Sequence, residues 1–256
     1  MTEHTKPRDT AGGRSLHLQV RAFVLDMDDT VNRTSEAMDA GLHAAVATMW
    51  PELSPERLSE AVSGYIRDDA GWFERFSTGS IDFPTMRRGR LTELSRVLGG
   101  EVDELGFLRF ERTYREVFEQ SCRVHEDALR LIRRAATAGV PLGVLSNSAE
   151  RMTRMKVRRL GLEGRFVAVL SCDQLAAGKP DPQAYLSACR SLGIGPADVG
   201  YVDDLRRDAE GGAQAGLQSV WLDRRGIGDD AADAGAGSPA RVTSLDQIEV
   251  EPVPGR

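Results

Sequence analysis

Ala22-Phe23-Val24-Leu25-Asp26-Met27-Asp28-Asp29-Thr30 passes from four apolar residues straight into a polar cluster. The apolar run reads as a short strand buried inside a parallel sheet. The polar cluster then falls at the carboxyl end of that strand, where open parallel sheets bind ligands. In extended backbone, residues i and i+2 point the same way, so Asp26 and Asp28 can reach one reaction centre. Two carboxylates that close repel unless a cation or a shared proton lies between them. A divalent metal on Asp26 keeps it ionised as a nucleophile. Asp28 can then serve as general acid toward a leaving group and as base toward water. Taken alone, the cluster fits a solvated acidic turn equally well.

Outward from this stretch, the pattern alternates. Strands are predicted at Val140–Leu145, Phe166–Leu170, Val199–Val202 and Gln218–Leu222. Helices are predicted at Glu126–Ala138, Ala149–Leu160, Pro182–Leu192 and Asp208–Ala215, each followed by a glycine. Asp181 and Pro182 supply an N-cap and a first helical residue. Strands alternating with helices imply right-handed crossovers and a doubly wound parallel α/β sheet covered on both faces. Between Asp28 and this run, apolar residues recur at helical spacing from Glu36 to Gln120, so the Rossmann-like core carries an inserted α-helical cap. The expected division is a core of 18–33 and 121–250, a cap of 34–120, and a disordered lead-in of 1–17. Gly226–Pro239 reads as a loose loop, Val242–Ile248 as a last strand or turn, and Val250–Arg256 as a tail.

The other strand ends also carry polar clusters. Ser146-Asn147-Ser148 follows Val140–Leu145 and offers hydroxyls and helix N-terminal amides to an anion, or an ordinary N-cap. Lys179 in Gly-Lys-Pro-Asp-Pro lies before a helix start, where its charge can neutralise a phosphate and a carboxylate nucleophile together. Asp203-Asp204 and Asp208 follow Val199–Val202, and carboxylates so placed suit a hard cation such as Mg²⁺. Each cluster alone has a structural explanation. Their convergence at the carboxyl ends of neighbouring strands makes a charge-balanced site the better reading.

These residues resemble the motifs of the haloacid dehalogenase-like (HAD) superfamily, and the resemblance spans almost the whole chain. Asp26-x-Asp28-x-Thr30 is similar to the first motif, Ser146 with Asn147 to the second, Lys179 to the third, and Asp204 with Asp208 to the fourth. The resemblance implies Asp26 as nucleophile, Asp28 as acid/base and Lys179 as a catalytic cation. It implies Thr30, Ser146, Asn147 and Lys179 toward the substrate. Mg²⁺ would be held by Asp26, the backbone carbonyl of Asp28 and Asp204, with Asp208 as a ligand or a support. The insert looks like the helical cap of the subgroup with phosphoglycolate phosphatase, pyrimidine nucleotidase and acylneuraminate-phosphate phosphatase. Asp29 and Asp203 each stand where many members have glycine. The implied activity is Mg²⁺-dependent hydrolysis of a small phosphate ester through an aspartyl-phosphate. Competing readings are a haloacid dehalogenase, a phosphosugar mutase and an inactive binding protein of the same fold. The dehalogenase branch works without a metal and typically lacks the carboxylate at position 28.

Composition bounds the partners. The chain has 256 residues, 41% hydrophobic and 28% charged, with net charge −6. That charge argues against generic nucleic-acid binding, and no apolar run is long enough to span a bilayer. Cys122, Cys172 and Cys189 are widely spaced and fit reduced thiols of a cytoplasmic protein. A monomer or homodimer is expected. Lysine is scarce: Lys6, Lys156 and Lys179 stand among 33 basic residues, so each lysine kept carries information. Trp72, Arg75, Arg87 and Arg88 are candidate substrate contacts from the cap, though a solvated or packed role is the better reading of each.

Overall fold

The structure is a computed structural model that describes residues 15–228 and 238–253. The first fourteen positions of the expected lead-in, the middle of the expected loop and the last three tail residues lie outside the described residues. The strands are β1 (Leu16–Val20), β2 (Ala22–Leu25), β3 (Leu142–Ser146), β4 (Ala168–Ser171), β5 (Val199–Asp203), β6 (Gln218–Leu222), β7 (Ala240–Val242) and β8 (Ile248–Pro252). The helices are α1 (Thr34–Met49), α2 (Pro55–Arg67), α3 (Trp72–Ser77), α4 (Phe83–Val97), α5 (Glu104–Ser121), α6 (Glu126–Thr137), α7 (Glu150–Arg159), α8 (Pro182–Leu192) and α9 (Arg206–Gln214).

The main sheet runs β4-β3-β2-β5-β6-β7, and every pair in it is parallel. β2 is buried along its whole length, as an apolar run without alternation requires. The chain moves outward from β2 to β3 and β4, then returns to β5 on the other side. That reversal is a topological switch point, and it opens a crevice beyond the carboxyl end of β2. Asp181 caps α8 by accepting a hydrogen bond from the Gln183 amide at 2.8 Å, and Gly193 closes that helix in the left-handed region.

α1 to α5 are inserted between β2 and α6 and hold a core of their own. Leu42, Val46, Tyr65, Leu91, Phe110, Tyr114 and Phe118 are buried together there. α1 lies against α5 at Gly41, where an added Cβ would stand 3.0 Å from the Tyr114 carbonyl. The insert also touches the core: Phe76 and Met86 pack with Ala149 and Cys172.

β1 and β8 form a separate two-stranded parallel sheet, with Leu16 opposite Ile248 and Val20 opposite Pro252. The expected lead-in ends inside β1, at His17, and β8 starts at Ile248, where the expected last strand or turn ends, and runs into the expected tail. Each is half-buried: Leu18 and Val20 face inward while His17 and Gln19 face solvent, and Ile248 and Val250 do the same in β8. Five residues with alternating polarity are a weak signal by themselves. Their burial depends on each other.

Candidate active site

Four segments meet beyond the end of β2: the loop after β2, the end of β3, the loop between β4 and α8, and the end of β5. Asp26 is 3% exposed. Its amide donates to the Val202 carbonyl at 3.0 Å, which fixes the residue between β2 and β5. Lys179 reaches across from its loop and donates from Nζ to Asp26 Oδ1 and to Asp203 Oδ2, both at 2.7 Å. Asp208 Oδ2 lies 3.9 Å from the same ammonium.

β5 runs one residue past the strand expected from sequence, so Asp203 is a fully buried strand residue. It accepts hydrogen bonds from the Tyr201 hydroxyl and the Leu205 amide. Asp26, Asp203 and Asp204 each bring a carboxylate oxygen within 4.8 Å of the other two. Asp208 stands outside that group and faces Lys179 and Arg207.

Three buried carboxylates thus share one ammonium, and the half-buried Asp204 adds a fourth negative group beside them. Burial raises the Asp26 pKa well above the usual carboxylate range; Lys179 opposes this, and Asp203 and Asp204 add to it. Asp204 is pushed up to about 8, first by burial and then by Asp203. Asp208 is raised for the same first reason. Asp26 Oδ2 is buried with no hydrogen-bond partner among the described residues. An unpartnered carboxylate oxygen facing two further acids fits a hard divalent cation, which takes oxygen ligands and relieves the excess charge.

Asp28 sits in the opposite environment. Its Oδ1 accepts from Thr34 Oγ1 at 2.7 Å and from Lys156 Nζ. Its Oδ2 accepts from Ser146 Oγ at 3.0 Å and Ser148 Oγ at 2.9 Å. Burial pushes its pKa up, but the Lys156 charge and these hydrogen bonds outweigh it and lower the pKa to about 2.

The remaining candidates divide. Asn147 donates from Nδ2 to the Lys179 carbonyl and accepts from the Lys179 amide, both at 2.8 Å. It was grouped with the substrate-binding residues, yet its side chain is committed to holding Lys179. Thr30 is fully buried and its hydroxyl has no partner among the described residues. Arg87 pairs with Glu111, Arg88 with Glu104, and Arg75 lies over Trp72.

Sequence reasoning missed Lys156, Thr34 and Arg224, and read Ser148 only as part of the anion cluster, not as a partner of Asp28. Arg224 donates to the carbonyls of Asp29 and Thr30 and to Asp127, which pins the loop after β2. Lys156 had a usable signal, being one of only three lysines in an arginine-rich chain. Asp29, at a position that favours glycine, has φ +57°; its carboxylate accepts from the Ser35 amide at 2.8 Å and so ties the loop to α1.

The chain matches the haloacid dehalogenase-like hydrolase family over residues 20–216. It belongs to that family. N-acetylmuramic acid 6-phosphate phosphatase of Pseudomonas putida is 25% identical over 208 residues, covering 79% of this chain and 82% of that protein. Phosphoserine phosphatase of Thermus thermophilus is 26% identical, covering 80% and 89%. Among solved structures, the HAD-hydrolase YfnB from Bacillus subtilis, bound to magnesium, superposes with a TM-score of 0.72 at 19% identity, covering 90% of this chain and 96% of that one. An L-2-haloacid dehalogenase from Xanthobacter autotrophicus gives 0.68 at 21% identity, covering 89% and 96%. The solved structures share the fold. No helix among the described residues is long and apolar enough to cross a membrane.

Proposed function

We propose that this hydrolase is a Mg²⁺-dependent phosphatase that cleaves a small phosphorylated metabolite through an aspartyl-phosphate on Asp26. The observation that carries the reading is the buried, unpartnered Oδ2 of Asp26 beside Asp203 and Asp204. Asp26, Asp203 and Asp204 would hold the cation, which when bound offsets the phosphoryl charge and keeps the carboxylates ionised. Lys179 orients Asp26 through Oδ1 and adds a fixed positive charge beside the transferring group. Asn147 keeps Lys179 in place.

Ser146 donates to Asp28 here and is the hydroxyl that turns to a bound phosphate. Losing that donor, and gaining an anion nearby, both raise the affinity of Asp28 for a proton. Asp28 then protonates the departing alcohol and afterwards accepts a proton from the attacking water. The insert, packed on the core at Phe76 and Met86, screens the crevice from bulk water. Both curated relatives are phosphatases of small phosphate esters by name, which supports the same substrate class; sugar phosphates, phosphoglycolate and nucleotides are the classes to assay first. The carboxylate at position 28 weighs against the dehalogenase reading, despite the shared fold.

The test is hydrolysis of p-nitrophenyl phosphate and a panel of phosphorylated metabolites, with Mg²⁺ and with a chelator, by the wild type and Asp26→Asn. Turnover by the wild type should require Mg²⁺ and fall in the variant by about 10³-fold or more. Undiminished turnover in Asp26→Asn, or activity confined to haloacids, overturns the reading.

A further inference from the structure

We propose that Lys156 is a positioning residue of the catalytic centre, which anchors Oδ1 of Asp28 and leaves Oδ2 as the oxygen that exchanges the proton. The inference rests on the phosphatase reading above and assigns a role to a residue outside the four motif clusters.

Lys156 lies on α7 and is 1% exposed. A buried ammonium costs several kcal/mol unless it is paired and hydrogen-bonded. Its ion-pair partner among the described residues is Asp28 Oδ1, and its other hydrogen bond goes to Ser148 Oγ at 2.9 Å. The Phe118 ring, from α5, lies 5.8 Å from the ammonium. So the counter-charge that lets a lysine sit here is Asp28. Arginine would bring five donors in a rigid fork to a space with one carboxylate oxygen and one hydroxyl, which gives a reason for lysine in a chain that otherwise uses arginine.

The two oxygens of Asp28 are held differently. Oδ1 takes Lys156 and Thr34, from α7 and the first residue of α1. Among the described residues, Oδ2 takes only serine hydroxyls, from Ser146 at the end of β3 and Ser148 just beyond it. A hydroxyl can rotate to a new acceptor, whereas the Lys156 ammonium has no other ion-pair partner among the described residues. Oδ1 is therefore the fixed end, and Oδ2 points to the end of β3, where Ser146 would meet the phosphate. In the first step an Asp26 oxygen bonds to phosphorus, the phosphorus–ester oxygen bond breaks, and the proton on Asp28 Oδ2 passes to the leaving oxygen. In the second, water oxygen bonds to phosphorus, its proton returns to Oδ2, and the bond to Asp26 breaks to release inorganic phosphate.

A residue that merely fills space would affect all substrates alike. A residue that aims the acid matters most where the leaving group needs a proton. The experiment measures kcat/KM of the full-length protein, with Mg²⁺, on para-substituted phenyl phosphates of similar size, for the wild type and Lys156→Met. The variant should lose roughly 10²-fold on phenyl phosphate but only about threefold on p-nitrophenyl phosphate, whose leaving group departs unprotonated. If Lys156→Met does not fold, Lys156→Gln, which keeps a hydrogen-bond donor without the charge, is read the same way. A crystal structure of the folded variant should show the Asp28 carboxylate turned from its wild-type orientation. Parallel losses across the series, or an unmoved Asp28, overturn the proposal while leaving the phosphatase reading intact. A wild type inactive on every aryl phosphate overturns both.

Discussion

Two carboxylates two positions apart on one strand end live in opposite electrostatic worlds. On the β5 side, Asp26 shares Lys179 with Asp203 and Asp208, and Asp204 adds further negative charge. Burial raises Asp26 well above its ordinary value, and one ammonium does not cancel it. On the β3 side, Asp28 has an ammonium of its own and three hydroxyl donors, and lies at about 2. One side is short of positive charge and the other is balanced. The pair differs because Asp26 lies between two strands, in line with other strand-end acids, while Asp28 reaches helices that supply donors. The side that would accept the proposed cation is left under-compensated. The group that acts as acid and base in the proposed reaction is held by its neighbours.

The contrast can be broken from the acidic side first. Lys179→Met removes the only ammonium bonded to Asp26 and Asp203 among the described residues. Activity should fall by about 10³-fold, and stability at neutral pH by about 3 kcal/mol, since the buried carboxylates lose their partner. Steady-state kinetics and urea unfolding measure the two effects, and unchanged stability would remove the account of Lys179 as the pivot of this side.

Metal should act on one side alone. At about a hundredfold excess over its Kd, Mg²⁺ should stabilise the wild type by about 2.7 kcal/mol through binding the folded state. Thermal melts of Asp204→Asn should show most of that gain lost, while Lys156→Met keeps it. An equal gain in both variants would erase the division between the two sides.

Asp127 offers a smaller, purely structural control. Burial pushes its pKa up, yet hydrogen bonds from Arg224, the Leu245 amide and Ser244 lower it to about 2. Its folded-state pKa is below the ordinary 3.8, so its contribution is fully present above about pH 4. It should be lost as pH falls from about 4 toward 2, and amounts to about 2 kcal/mol. Chemical unfolding of Asp127→Asn should therefore differ most from the wild type near neutrality and converge with it near pH 2. A constant gap across that range would show that the charge of Asp127 is not what matters.

Much of this contrast was legible before folding was considered. The i, i+2 spacing of Asp26 and Asp28, the serine after β3, the lysine before Pro182 and the acids after Val202 all follow from strand ends and their polar caps. The fold class followed from the same alternation, which local sequence carries. What escaped was set by tertiary contact. Lys156 meets Asp28 across 128 positions, and only the packing of α7 decides which way it faces. Asp203 was legible as one of the acids after Val202, but its full burial was not, because β5 runs one residue longer than its apolar pattern. Asn147 was read as a substrate contact because it adjoins Ser146, but its amide is matched to the Lys179 backbone, a pairing that no local pattern reveals. β1 and β8 were overlooked because each is half a hydrophobic unit whose other half lies far along the chain.

That last pairing has a consequence for synthesis. Leu16 aligns with Ile248 in a parallel ladder, and among the described residues β1 pairs with no other strand. During translation the nascent β1 must wait, its backbone groups unpaired, until nearly every other element of the chain has left the ribosome. The main sheet can assemble in the meantime, so the closing of this small ladder should be a late step in the folding of the described residues.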